Sequence, residues 1–167
     1  MTPIFLIGYM GSGKSTLGRK LAQEMNVEFL DLDILIEKGL GLKINEIFLK
    51  KGEKFFRQKE RDYLTKYCLD TQSIVATGGG TPCFFDNNNI MNSKGITIYL
   101  KVSCHELVRR LQFNQNRPLL FKNKLNLKDF VNNQIIERER HYQKSQYIIE
   151  SDCISVNQIY DLLKNIL

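Results

Sequence analysis

A glycine-rich segment near the start of the chain carries residue types that bind phosphate. In "GYMGSGKST", residues 8–16, Gly8, Gly13, Lys14 and Ser15 match the pattern G-x-x-x-x-G-K-[ST]. Glycines let backbone N–H groups turn towards phosphate oxygens, and a following helix adds the positive end of its dipole. Lys14 is expected to reach the β- and γ-phosphates of a nucleoside triphosphate, and Ser15 to ligate Mg²⁺. The predicted nucleotide-binding residues of this P-loop are Gly11, Ser12, Gly13, Lys14, Ser15 and Thr16.

Two acidic residues follow the second apolar segment. In "FLDLD", Asp31 and Asp33 are two residues apart, so an extended backbone would direct both side chains to the same side. They fall at the end of a predicted strand, where open α/β sheets bind ligands. One carboxylate could hold the water shell of the metal while the other orients, or accepts a proton from, an attacking hydroxyl. In the alternative interpretation, Asp31 only ends a strand and Asp33 is the N-cap of a helix.

The segment "SIVAT", residues 73–77, bears on the class of P-loop protein. It ends in Thr77, whereas a motor ATPase or GTPase usually places a magnesium-coordinating Asp after a core strand. The sequence also lacks the guanine-reading pattern N-K-x-D. Three glycines, residues 78–80, follow the strand instead. These features favour a small-molecule kinase over a switch protein.

The elements that must position these residues alternate along the chain. The predicted strands are "PIFLIG", "VEFLD", "SIVAT", "GITIYLKV" and "QYIIES". The predicted helices cover residues 15–25, 34–39, 44–49, 53–69, 105–113, 127–145 and 156–166, and "DNNN" at 86–89 predicts a polar turn. This alternation predicts a doubly wound α/β domain, with a five-stranded parallel sheet covered by helices on both faces.

Length and composition limit the possible functions. The chain has 167 residues, 43% of them apolar, which predicts one domain over residues 1–167. No apolar run approaches about 18 residues, and "MTPIFLIG" does not resemble a leader, so we expect a soluble, cytoplasmic protein without a membrane partner. Four scattered cysteines and two histidines argue against a zinc site. The net charge of +6 favours small anionic substrates rather than nucleic acid, because acids interrupt the basic clusters.

Six ordered motifs resemble those of the shikimate kinase family and cover nearly the whole chain. They are "IGYMGSGKSTLGRKLA", "FLDLDILIE", "INEIF" with "GEKFFRQKE", "TGGGT", "RPLL" and "ERERHY". The resemblance implies a nucleoside-monophosphate-kinase-like fold with a short mobile lid. It also implies Mg²⁺-dependent transfer of the γ-phosphate of ATP to the 3-hydroxyl of shikimate, in the pathway to aromatic amino acids. We expect a monomer.

The same resemblance implies how shikimate is held. Arg57 and Arg138 match the two arginines that grip the carboxylate of the substrate, although neighbouring glutamates could instead pair with them in helical salt bridges. Asp33 matches the acid that contacts the reacting hydroxyl, and Asp31 matches the acid near magnesium. The remaining matches are Gly78, Gly79 and Gly80 near the substrate ring, and Phe48 and Phe56 in the pocket wall or in the ordinary core.

The resemblance further implies a substrate-binding segment at about residues 32–62 and a lid at about residues 112–126. Arg117 would close onto the phosphates and neutralise charge during transfer. Arg110 and Pro118 match a pair that stacks on adenine. The segment "SDCISVN", residues 151–157, falls where the family contacts the base, but it offers no residue that the sequence alone can assign.

Three other classes remain open. A gluconate-kinase-like enzyme would share the P-loop, the lid and a polyhydroxy-acid substrate, but not this combination of "FLDLD", "GEKFFR" and "TGGG". A nucleoside monophosphate kinase would normally carry a longer lid and a base-reading pocket. A non-catalytic ATP-binding regulatory module would need the P-loop without the paired acids and the carboxylate clamp.

Overall fold

The described part of the chain, residues 2–112 and 127–166 of a computed structural model, alternates strands with helices. The strands are β1 (Ile4–Ile7), β2 (Glu28–Asp31), β3 (Ser73–Ala76), β4 (Ile96–Lys101) and β5 (Tyr147–Glu150). The helices are α1 (Lys14–Met25), α2 (Leu32–Leu40), α3 (Ile44–Tyr67), α4 (Asn87–Lys94), α5 (Cys104–Gln112), α6 (Leu127–Tyr142) and α7 (Val156–Lys164), with a short 3₁₀ helix at Thr81–Cys83. Within these residues, no helix has both the length and the apolar character needed to cross a bilayer.

The five strands form one parallel sheet in the order β2-β3-β1-β4-β5. All four residues of the central strand β1 are buried, which is why "IFLI" is continuously apolar rather than alternating. The predicted doubly wound α/β fold is therefore confirmed. From β1 the chain first runs to one edge of the sheet and later, after β3, to the other. Ligands of such sheets bind where the order reverses, outside the carboxyl ends of the strands.

Each face of the sheet has its own apolar core. Ile4 and Leu6 of β1 point into a cluster completed by residues of α1 and α7, while Phe5 and Ile7 point into the opposite cluster. That second cluster is built from α2, α3, α4, α5 and α6. Because both faces are covered, the carboxyl ends of the strands form the open edge on which a polar site can be built.

Helix α4 corrects the prediction of a polar turn at "DNNN". Asp86 lies in a turn, but residues 87–94 are helical, and Asn87 and Asn88 are buried. The Asn87 side chain donates a hydrogen bond of 2.9 Å to the Thr81 carbonyl, and the Asn88 side chain donates one of 2.5 Å to the His141 carbonyl. Asparagine usually favours turns, but here hydrogen bonds to carbonyls outside α4 hold both residues in the helix.

Helix α3 contains the break that the sequence predicts between residues 49 and 53. Gly52 has φ 80° and ψ 168°, which are not helical values, so the helix consists of two segments joined at this residue. The second segment begins at Glu53 and carries Arg57. The break therefore sets the direction from which Arg57 approaches the carboxyl edge of the sheet.

Candidate active site

The P-loop connects β1 to the first residue of α1. Its backbone favours glycine at several positions: for example, Gly13 has φ 100°, and a Cβ at Gly8 would lie 2.9 Å from the Leu100 carbonyl oxygen. Gly13 is also the N-cap residue, and no side chain caps the helix. The first N–H groups of α1 are therefore available to an anion at the helix N-terminus.

Lys14 folds back over this loop. Its ammonium group donates hydrogen bonds of 2.8 Å to the Gly8 carbonyl and 2.9 Å to the Tyr9 carbonyl, and the residue is only 8% exposed. A buried cation that donates to backbone carbonyls at the mouth of a phosphate loop is placed to bind an anionic partner. The position of Lys14 at the mouth of the loop fits the binding of phosphate.

Ser15 and Asp31 form a pair of oxygen ligands between two elements. The Ser15 hydroxyl donates a hydrogen bond of 2.7 Å to Asp31 Oδ2, while Asp31 Oδ1 accepts one of 3.3 Å from the Ile34 N–H. Asp31 is thus both the last residue of β2 and the N-cap of α2. A hydroxyl and a carboxylate at the mouth of a P-loop are the ligand types that Mg²⁺ prefers, so the residues fit this metal.

Asp33 lies in the first turn of α2. The argument that Asp31 and Asp33 extend from one strand to the same side is therefore wrong, and so is the alternative in which Asp33 caps the helix, because Asp31 does so. Both aspartates nevertheless line one cavity of about 280 Å³. Its lining consists of Met10, Gly11, Gly13, Lys14, Ser15, Thr16, Asp31, Asp33, Thr77 and Gly79. Five of the six predicted P-loop residues are included, and Ser12 is not.

The three glycines at 78–80, here called the glycine run, each lie near a different residue that the sequence predicts to bind the substrate. A side chain at the first or third of them would force neighbouring side chains to move, because a Cβ there would lie under 3 Å from existing side-chain atoms. Each glycine lies near an atom of one predicted substrate-binding residue. A Cβ on Gly78 would lie 3.0 Å from Asp33 Oδ1, and one on Gly79 would lie 3.7 Å from Arg138 Nη1. A Cβ on Gly80 would lie 2.6 Å from Arg57 Nη2. The run thus brings the three side chains to one short backbone segment.

Arg57 is held by two carboxylates on its own helix. Its Nε and Nη2 donate to Glu53 Oε1 at 3.2 and 3.1 Å, and its Nη1 donates to Glu60 Oε2 at 2.9 Å. Glu60 is buried and also accepts a hydrogen bond of 2.6 Å from the Thr81 hydroxyl. The helical salt bridges that the sequence offered as an alternative therefore exist, and they aim Arg57 at Gly80.

Aromatic rings surround the Arg57 guanidinium. Its central carbon lies 4.1 Å from the centroid of the Phe84 ring, 5.1 Å from that of Phe56 and 6.0 Å from that of Phe48. The rings of Phe48 and Phe56 also contact each other at a tilt, with centroids 4.8 Å apart. Phe56 belongs to the buried core cluster, Phe48 is partly buried against it, and both flank Arg57. No sequence motif pointed to Phe84, which follows the glycine run.

Arg138 reaches the glycine run from α6. Its Nη2 donates to the Gln134 side chain, and its guanidinium lies 5.6 Å from the centroid of the Tyr9 ring. One helical turn later, the buried Tyr142 hydroxyl donates a hydrogen bond of 2.5 Å to the Gly79 carbonyl. Burial raises the pKa of Tyr142, so its hydroxyl stays protonated as a donor. Sequence reasoning missed this residue, although it ends the motif "ERERHY".

Arg110 connects the P-loop to the segment after β5. Its three nitrogens donate to Glu106 Oε1 at 2.7 Å, to the Gly11 carbonyl at 3.0 Å and to the Asp152 carbonyl at 2.6 Å. Hydrogen bonds from Arg109 and Arg110 lower the pKa of Glu106 to about 2. The segment at 151–157, to which the sequence assigned no residue, thus contributes Asp152 next to the P-loop.

The remaining predicted residues lie outside the described part of the chain. Arg117 and Pro118 belong to residues 113–126, as does nearly all of the predicted lid at about 112–126. Gln112 is described and ends α5.

The fold and the site together define a P-loop phosphotransferase for a small molecule. The family model for shikimate kinase matches residues 10–166, and the chain belongs to this family. A shikimate kinase of Phocaeicola vulgatus is 44% identical over 154 residues, which are 91% of this chain and 88% of that protein. The motifs that carried the resemblance therefore identified the family correctly.

Two solved structures show the same architecture at high similarity. A shikimate kinase from Bacteroides thetaiotaomicron superposes with a TM-score of 0.92 at 39% identity and covers 98% of both chains. A shikimate kinase from Acinetobacter baumannii, solved in complex with shikimate, superposes with a TM-score of 0.90 at 32% identity over 99% of this chain and 93% of that one.

Proposed function

We propose that this chain transfers the γ-phosphate of ATP to the 3-hydroxyl of shikimate, giving shikimate 3-phosphate and ADP. The observation that carries the proposal is the glycine run, which lies close to Asp33, Arg138 and Arg57 beside the cavity of the P-loop. A small carboxylate with ring hydroxyls needs such a combination of an anion clamp, a hydroxyl acceptor and bare backbone. Membership of the shikimate kinase family supports the same substrate.

The P-loop side of the cavity is the proposed site of ATP. Lys14 and the N-terminal N–H groups of α1 would hold the β- and γ-phosphates, with Gly11, Gly13 and Thr16 around them. Ser15 and Asp31 would hold Mg²⁺ directly or through its water. Bound Mg²⁺ would neutralise charge on the phosphates. Family resemblance alone gives Arg110 and Pro118 their place against adenine, and gives Arg117 its place on the phosphates.

The glycine-run side of the site is the proposed position of shikimate. Arg57 and Arg138 would bind the carboxylate by charge-assisted hydrogen bonds, while Phe48 and Phe56 would support Arg57 from the pocket wall. Asp33 would accept a hydrogen bond from the 3-hydroxyl and hold it in line with the γ-phosphate. Because phosphoryl transfer depends mainly on positioning and charge, this orientation accounts for the main contribution of Asp33.

A panel of acceptors tests the proposed function. ADP release would be measured with ATP, Mg²⁺ and one of shikimate, quinate, gluconate or a nucleoside monophosphate. We expect shikimate to give the highest kcat/KM and Lys14→Met to abolish turnover while the protein stays folded. Preference for gluconate, or ATP binding without turnover of any acceptor, would contradict the proposal.

The proposal includes a monomeric enzyme of the cytoplasm. Every residue with a proposed role belongs to one chain, so no second copy is needed to complete the site. Light scattering at the concentrations used for the kinetic assays tests this part, and a stable dimer would contradict it.

A further inference from the structure

The two carboxylates that hold Arg57 differ in their surroundings. The Glu60 side chain is 1% exposed and is fixed by a second hydrogen bond from the Thr81 hydroxyl. The Glu53 side chain is 56% exposed, and among the described residues it pairs with Arg57 alone. Glu60 is thus a permanent part of the core beneath Arg57, whereas Glu53 approaches from the solvent side.

Glu53 occupies a fork of the guanidinium that suits a bound carboxylate. Its Oε1 accepts from both Nε and Nη2, at 3.2 and 3.1 Å. A substrate carboxylate that binds Arg57 through two N–H groups would use a fork of the same kind. The protein's own carboxylate and the carboxylate of the substrate therefore compete for similar donors.

Charge also opposes simultaneous binding. Beside the glycine run or on Arg57 there are three carboxylates, those of Asp33, Glu53 and Glu60, and two guanidiniums, those of Arg57 and Arg138. An added substrate carboxylate would bring a fourth negative group to two positive ones. Departure of one protein carboxylate would return the site to three negative groups and two positive ones, and an exposed carboxylate such as Glu53 can move into water without being desolvated.

The backbone next to Glu53 permits such a departure. Glu53 directly follows Gly52, where the helix is interrupted at φ 80° and a Cβ would meet no atom within 4 Å. A shift of Glu53 at this break does not require the helical turn around Arg57 and Glu60 to open.

We propose that Glu53 holds the place of the substrate carboxylate on Arg57 and is displaced when shikimate binds. This inference rests on the proposed function, in which Arg57 binds the carboxylate of shikimate. In the empty enzyme, Glu53 keeps the guanidinium oriented. Its displacement costs affinity, and only a ligand that carries its own carboxylate can replace it on Arg57. Glu53 is therefore a specificity-determining residue that acts through Arg57.

Equilibrium binding to two ligands tests this role. The dissociation constants of shikimate and of its methyl ester, which lacks the negative charge, would be measured for wild type, Glu53→Gln and Glu53→Ala. Breaking an exposed ion pair changes an equilibrium constant by a factor of up to about five. We therefore expect shikimate to bind about threefold to fivefold more tightly to both variants, which have no such pair to break. The methyl ester should bind with unchanged affinity. Weaker or unchanged binding of shikimate would overturn the proposal.

Two further variants complete the design. Glu46→Gln removes the charge of another exposed glutamate of α3, one that pairs with Lys50 before the break at Gly52, and it should leave both dissociation constants unchanged. Arg57→Lys separates the inference from the function on which it rests. If Arg57→Lys weakens shikimate but Glu53→Gln does not tighten it, only the role of Glu53 is wrong. If Arg57→Lys leaves shikimate binding unchanged, the carboxylate clamp and the role of Glu53 both fail.

Discussion

The hydroxyl of Ser15 donates a hydrogen bond of 2.7 Å to the carboxylate of Asp31, and this bond joins the start of α1 to the end of β2. It unites the two residues that we assign to Mg²⁺. The second acid, Asp33, lies two residues further on, in the first turn of α2 and close to Gly78. The two aspartates therefore line one cavity from different positions, and their roles can be separated by experiment.

A magnesium titration separates them. Asp31→Asn should raise the Mg²⁺ concentration for half-maximal rate by about tenfold or more, because a ligand of the metal or of its water shell is weakened. Asp33→Asn should lower kcat by about a hundredfold or more at any Mg²⁺ concentration, since the hydroxyl loses its charged acceptor. Both rates would be measured at saturating ATP and shikimate. Rescue of the Asp33 variant, but not the Asp31 variant, by excess Mg²⁺ would mean that the roles are reversed.

Substitution of Gly80 tests whether the glycine run positions the clamp. A Cβ at this residue would lie 2.6 Å from Arg57 Nη2, so Gly80→Ala must push the guanidinium away. Misplacement by about 1 Å can cost up to about a hundredfold, and we expect the KM for shikimate to rise by about tenfold or more. The KM for ATP is the internal control and should change little. Equal increases in both constants would point to general misfolding instead.

Tyr142→Phe tests the hydrogen bond beneath the run. The variant leaves the Gly79 carbonyl without its buried donor, so the free energy of unfolding should fall by about 1–2 kcal/mol in urea titrations. The kcat/KM for shikimate should fall as well, because Gly79 loses its anchor. Tyr160→Phe on α7 is the matched control, since that ring contacts Lys164 and packs against the apolar cluster on the other face of the sheet. Equal stability of the two variants would contradict a structural role for the Tyr142 hydroxyl.

The sequence predicted the local parts of this site well. The P-loop at residues 8–16 and the glycine run at 78–80 could be placed because each follows a short apolar strand, and parallel strands bring their carboxyl ends to one edge. The Glu53 and Glu60 pairs with Arg57 also follow from helical spacing.

Residues whose function depends on distant contacts could not be predicted in the same way. Tyr142 meets Gly79 across 63 positions of sequence, and the Asp152 carbonyl meets Arg110 across 42. No local pattern marks either contact. Asp33 was placed in a strand because a two-residue spacing fits extended backbone, but the capping side chain of Asp31 starts the helix one residue earlier than Asp33.

The stability of the wild type relative to Glu106→Gln should depend on pH. Arg109 and Arg110 lower the pKa of Glu106 to about 2 in the folded protein, against about 4.3 in the unfolded chain. A lowered carboxyl pKa contributes stability that is full above the unfolded value and is lost as pH falls towards the folded one. In urea titrations, the free energy of unfolding of the wild type should therefore exceed that of Glu106→Gln at about pH 6, and this difference should shrink by about pH 3. A constant difference over this range would contradict the role of the two arginines.

Identification of the product tests the central claim most directly. Wild-type protein would be incubated with ATP, Mg²⁺ and shikimate, and phosphorus NMR would be used to follow every phosphate species. We predict that ADP and a single phosphomonoester on the 3-hydroxyl of shikimate accumulate in equal amounts, and that neither forms when Lys14→Met replaces the wild type. Release of inorganic phosphate at the same rate with and without shikimate, or a phosphate ester at another hydroxyl, would contradict the assignment.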